Sequence, residues 1–158
     1  MLFKASLDKL GYAITALVFG IVAFVTYRIV AETGSVQTGG VIAIVALWLF
    51  ILIVYLFRSV SYTINESSVI VHRVIKDIAI PKADIVEKKQ IPSEDMTWTI
   101  RTFGVGGLFG YYGKFFNTKF GSMIWYATQR KNYVMLVTQG VKFVLTPNDP
   151  EKFLAVLG

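Results

Sequence analysis

Between Lys9 and Arg28 lies a run of eighteen residues, Leu10 to Tyr27, with no charged position, and a second run of twenty-five, Thr33 to Phe57, ends at Arg58. At 1.5 Å per residue the first spans about 27 Å as a helix, and the apolar part of the second, Val41 to Phe57, about 26 Å. Both match the hydrocarbon thickness of a bilayer. The pattern predicts a two-helix transmembrane hairpin over residues 1–58, with helices at about 10–30 and 39–57. A cleaved signal peptide fits less well, because the first run is long for one and a second follows at once.

Beyond Arg58 the period changes from 3.6 to 2. Val60, Tyr62 and Ile64 alternate with Ser61, Thr63 and Asn65, Asn65-Glu66-Ser67-Ser68 makes a turn, and Val69 to Val74 returns. Further strands are expected at 77–80, 85–90, 122–128, 132–138 and 141–146, the last pair joined by Gln139-Gly140. That makes seven short strands in one antiparallel meander. The end of the chain then turns helical: Asn148 or Asp149 serves as N-cap, Pro150 opens the first turn, Glu151 meets the helix dipole, and Phe153, Leu154 and Leu157 form an apolar face.

The stretches SYTINESSVIVHRVIKDIAIPKADI and MIWYATQRKNYVMLVTQGVKFVLTPNDPEKFLAVL, in this order after two apolar helices, resemble the bacterial pleckstrin-homology-like (PH-like) domains over about residues 59–158. The resemblance implies a membrane α-helical hairpin followed by a mainly-β domain, a seven-stranded antiparallel PH-like barrel or sandwich capped by one C-terminal helix. It also implies a module that binds and does not catalyse. Eukaryotic relatives hold phosphoinositides with bases around the first hairpin loop. Residues 65–68 carry Glu66 and no base, so that role does not transfer.

Within this domain, residues 92–121 form a long insertion rich in glycine and aromatic residues. From Arg101 to Gly121 it holds six glycines, seven aromatic rings and three bases. WTIRTF, Trp98 to Phe103, is expected to add a strand. The glycines fit neither a dinucleotide fingerprint, since Phe109 stands where the third Gly belongs, nor a P-loop, since Phe115 follows Gly113-Lys114. Two readings stay open. In one, Phe103, Leu108, Phe109 and the later rings fold back over the sheet. In the other, some of Phe109, Tyr111, Tyr112, Phe115 and Phe116 enter the membrane interface or meet a partner, with Lys114 and Lys119 reaching lipid headgroups.

Ala13, Ala16, Gly20 and Ala23 line one face of the first helix, and Ala43 and Ala46 make a shorter patch on the second. These residues are expected to pack helices together, with Trp48 over Gly20. Lys4, Lys9 and Arg58 flank the membrane side opposite the loop of residues 28–40, so both termini are expected in the cytoplasm. The resemblance implies that the membrane is a bacterial inner membrane.

Composition narrows the chemistry. The chain has one histidine, no cysteine and scattered carboxylates, so neither a catalytic set nor a metal or cofactor site is expected. From Ser59 onward twelve bases against eight acids leave +4, a charge drawn to anionic lipid but too thin for nucleic acid. The partners expected are membrane lipid and an unidentified protein. The alternative is an accessory or self-assembling subunit of a membrane complex, a homo-oligomer included.

Overall fold

The computed structural model describes residues 1–32 and 38–158; part of the expected helix connection, 33–37, lies outside them. Both apolar runs are helices, α1 (Lys9–Glu32) and α2 (Thr38–Leu56). On α2 the less exposed positions Gly40, Ile44, Leu47, Ile51 and Val54 recur at spacings of four and three, the seam of one helix against another. Val18, Val22 and Thr26 answer it on α1. Trp48 closes the seam, its indole Nε1 donating to Thr26 Oγ1 at 3.3 Å and its ring meeting Phe19 edge-on at 6.0 Å. The expected Trp48–Gly20 contact is therefore replaced, and a Cβ added at Gly20 meets nothing within 4 Å. Ala13, Ala16, Gly20 and Ala23 are all exposed, on roughly the opposite side of α1, and Ala43 and Ala46 are exposed on α2. Bulky side chains, which fill the seam with more contacts per residue, hold this pair together. Both helices are long and apolar enough to cross a membrane, and only 6% and 11% of their most apolar windows are buried.

The rest of the chain forms a β-rich head. Its first sheet is antiparallel throughout, in the order β1 (Leu2–Lys4), β2 (Ser59–Ile64), β3 (Ser68–Arg73), β4 (Ile78–Pro81). The chain thus starts in the head, leaves through α1 and returns through α2, so a boundary at residue 58 cuts this sheet. The second sheet runs β5 (Ile85–Ile91), β9 (Tyr133–Thr138), β10 (Lys142–Leu145), β8 (Gly121–Ala127), β7 (Tyr111–Asn117), β6 (Thr99–Gly106).

These two sheets of four and six strands correct the single seven-stranded barrel expected from the sequence. All seven expected strands form, but β1 and the β6–β7 pair join them. The meander also breaks. β10 inserts between β8 and β9 and runs parallel to β8, so the β8–β9 connection, with Arg130 and Lys131, is a crossover. Thr146, just past β10, fixes this insertion: its Oγ1 accepts Thr128 N at 2.9 Å and its carbonyl accepts Gln129 Nε2 at 3.3 Å.

One core lies under α3 (Pro150–Leu157), which Asp149 caps by accepting Lys152 N at 3.0 Å. Its Phe153 and Leu157 pack with Phe3, Tyr62, Val71 and Leu136. Tyr62 is fully buried, donates to the Tyr126 carbonyl at 2.5 Å and accepts from Thr146 N at 3.3 Å. Burial pushes its hydroxyl up to about 12, against which the Thr146 hydrogen bonds act weakly. The neutral phenol is the form the fold favours, so its stabilisation is complete below pH 10 and lost as pH rises from 10 to 12. That loss should amount to about 2–3 kcal/mol at pH 12. Urea unfolding of wild type and Tyr62→Phe between pH 8 and 12 checks it, the variant showing the shallower decline.

Candidate functional site

The glycine-aromatic segment folds as the β6–β7 hairpin, and its glycines account for the shape. Gly104 and Gly113 face each other in register, each at positive φ, +110° and +120°. A Cβ on either would strike the backbone of the opposite strand. With the extra residue that shifts the register between Arg101 and Phe103, the pair bends the ladder. At the tip Gly107 N donates to the Gly110 carbonyl at 2.8 Å, and Gly107, Phe109 and Gly110 all take positive φ.

That tip lies against both helices. Phe109 N donates to Thr15 Oγ1 at 3.1 Å, and its ring meets Phe19 of α1 at 6.0 Å and Tyr55 of α2 at 5.3 Å, both edge-on. Leu108, Tyr112 and Val54 form a small core with Val18 and Val105. The Tyr112 hydroxyl donates to the Val54 carbonyl. This completes the end of α2, whose last carbonyls have no partner further along the helix. Ile53 accepts from Phe57, Tyr55 from Arg58, Val54 from Tyr112, and Leu56 from Ile75 of the head. Burial raises the Tyr112 hydroxyl above its ordinary range.

At the start of α1, Asp8 performs the matching task. Its Oδ1 accepts Gly11 N at 2.7 Å, its Oδ2 accepts Arg130 N at 3.0 Å, and the Tyr111 hydroxyl donates to the same carboxylate at 3.2 Å. Burial first, then the Asp8 charge, raises the Tyr111 hydroxyl. The sequence reading passed over Asp8, although an aspartate just ahead of an apolar helix is a capping signal.

The expected interface residues thus divide. Tyr111 and Tyr112 are buried as described, and Phe115 is buried in a second core, stacked on Trp125 at 4.4 Å. Phe109 is half-buried against the helices. Lys114, Phe116 and Lys119 are exposed, Lys119 pairing with Asp95 at 2.7 Å. Beside them on the open edge of the sheet stand three apolar side chains that the sequence reading did not assign to an exposed surface: Trp98, Ile100 and Phe103, at 81%, 65% and 74% exposure. Leu108, Tyr111, Tyr112 and Phe115 are thus folded back and buried, while Phe103 is exposed.

His72 has both ring nitrogens engaged, Nδ1 with Asp77 at 2.7 Å and Nε2 with Thr63 Oγ1 at 2.9 Å. It ties β2, β3 and the turn after β3 together. Among the described residues no group of three His, Asp or Glu side chains is placed to hold a metal ion.

No curated protein and no solved structure matches the chain. A family model, Bacterial PH domain, matches residues 60–158, the span from β2 to α3 that makes up nearly all of the head. That span is more than half of the sequence, and the chain belongs to the bacterial PH domain family.

Proposed function

We propose that this chain is a non-catalytic interaction module fixed to the cytoplasmic leaflet of a bacterial inner membrane by α1 and α2, with its PH-like head docking lipid or a protein partner at the bilayer surface. The observation that carries this reading is the seat of the hairpin tip. Thr15, which holds Phe109, lies six residues into α1, about 9 Å along the helix from Lys9. If α1 crosses the bilayer, Phe109 dips below the headgroups. Phe103 and Lys114, paired about four residues back from the tip, return to headgroup depth, about 13 Å higher along the strand. An aromatic ring beside a lysine suits that layer. The short link from α2 to β2 keeps the whole face near lipid.

The sequence has no cysteine, so single labels are clean. The full chain in vesicles should resist alkaline carbonate and float with lipid. A bimane label on Phe103→Cys should be quenched by lipids brominated near the headgroup, and one on Glu66→Cys, in the β2–β3 turn, should not. Release by carbonate overturns the anchor. Equal, weak quenching at both positions overturns lipid contact at β6 and assigns that edge to a protein partner.

A further inference from the structure

Arg58, in the link from α2, and Ser59, the first residue of β2, each carry a buried polar atom with no hydrogen-bond partner, Arg58 Nε and Ser59 Oγ. Ser59 is 4% exposed. Native folds rarely leave such groups unpaired, since each costs about 1–3 kcal/mol and a charged one more. Both residues line one cavity of about 280 Å³, together with Ser6, Tyr12, Phe109 and Thr128. One water takes up about 30 Å³, so the space exceeds what a single bridging water would fill. The Arg58 guanidinium lies over the Tyr55 ring at 5.0 Å and makes no ion pair among the described residues. Asp8, the residue after the cavity-lining Leu7, is already occupied by Gly11 N, Tyr111 and Arg130 N.

The geometry points to a site for a phosphate-bearing anion, its non-bridging oxygens accepting from the Arg58 guanidinium and the Ser59 hydroxyl. A cation is repelled by Arg58, and an apolar group leaves both donors unpaired. A carboxylate offers two oxygens in one plane, whereas a phosphate's tetrahedral oxygens meet the guanidinium fork and, out of that plane, the hydroxyl as well. Arg58 stands two residues past the end of α2 and Tyr12 in the first turns of α1, so the cavity lies level with the helix ends. In the proposed membrane arrangement this is the depth of the lipid phosphates. The choice of a lipid as source rests on that reading; the phosphate chemistry does not.

The full chain, delipidated in a neutral detergent, is titrated with phosphatidylglycerol, phosphatidylcholine and inorganic phosphate, and bound adducts are counted by native mass spectrometry. One phosphatidylglycerol per chain is expected, with affinity reduced at least tenfold in Arg58→Gln, several-fold in Ser59→Ala, and unchanged in Lys131→Gln. Inorganic phosphate binding with the same variant dependence supports the site and identifies a soluble anion as its source. Binding that is absent for every probe, or unchanged in both Arg58→Gln and Ser59→Ala, overturns it. Should Arg58→Gln fail to fold, Ser59→Ala, which removes only a hydroxyl, decides. Carbonate extraction reads the anchor separately: a chain that stays in the membrane yet takes up no phosphate probe refutes this site alone.

Discussion

Replacing Gly113 with alanine should destabilise the head by about 3–4 kcal/mol, and Gly104→Ala should do the same. Two effects add. At φ near +110° to +120° a residue with a side chain is strained by about 1–3 kcal/mol. The new methyl also lands on backbone: at Gly113 on the Phe103 carbonyl and the Gly104 Cα, at Gly104 on the Tyr112 carbonyl and the Gly113 Cα. A flexible side chain moves aside, but here the obstacle is the neighbouring strand. Against a total stability of about 5–15 kcal/mol the loss is large. Two other glycines set the scale. Gly121, at φ +72° with nothing within 4 Å, should cost about 1–2 kcal/mol as alanine. Gly140, in open space without positive φ, should be neutral or stabilising by about 0.4–1 kcal/mol. Urea midpoints of the four variants give the ranking. If Gly113→Ala matches Gly140→Ala, the strands do not cross closely there, and nothing in the hairpin steers its tip to α1.

Burial on one side only made several elements plain in the sequence. β2 and β3 alternate because one face meets the α3 core and the other meets water, and α3 carries its own cap and apolar face. β7 hides its period because its second face is covered near the tip, at Tyr112, and carries the exposed ring of Phe116 further on. Tyr111 turns toward Asp8 and the second core while Tyr112 turns toward Val54, so YYGKFFN shows no polar alternation. β6 was legible as a strand from WTIRTF, but nearly every position in it is exposed, so its apolar residues mark no core. β1, at three residues, is too short for any period and exists only because β2 offers an edge. The strand order was out of reach too, since β10 enters between β8 and β9 through contacts of Thr128 and Gln129 with Thr146. In the site, Arg58 was legible as a flanking base, but its shared cavity with Ser6 and Thr128 depends on the whole fold. Small residues on α1 suggested a packing face, yet a stripe of alanines marks only where close approach is permitted, and α2 packs elsewhere.

Asp8→Ala should remove about 3–4 kcal/mol and, unlike the glycine variants, loosen the helices from the head. The helix cap contributes about 0.5–2 kcal/mol. The carboxylate's charge-assisted hydrogen bonds contribute more, since its loss strands the Tyr111 hydroxyl in partly buried surroundings and takes the partner from the exposed Arg130 N. Asp8→Asn keeps an acceptor for Gly11 N but loses the charge, so about 1–2 kcal/mol is expected. It should also let the Tyr111 hydroxyl titrate lower, because the negative charge that holds its proton is gone. Tyr111→Phe combined with Asp8→Ala separates the link from the cap: a coupling of about 1 kcal/mol or more is expected, because the two side chains share one hydrogen bond. Additivity within about 0.3 kcal/mol would leave Asp8 as a helix cap and no more. Hydrogen exchange supplies the second readout, with protection lost together in the first turn of α1 and at residues 128–132, whose Thr128 carbonyl accepts Asp8 N and whose Arg130 N reaches its carboxylate. Joint loss at these two places requires that a single side chain hold the entry to the first helix against the far end of β8.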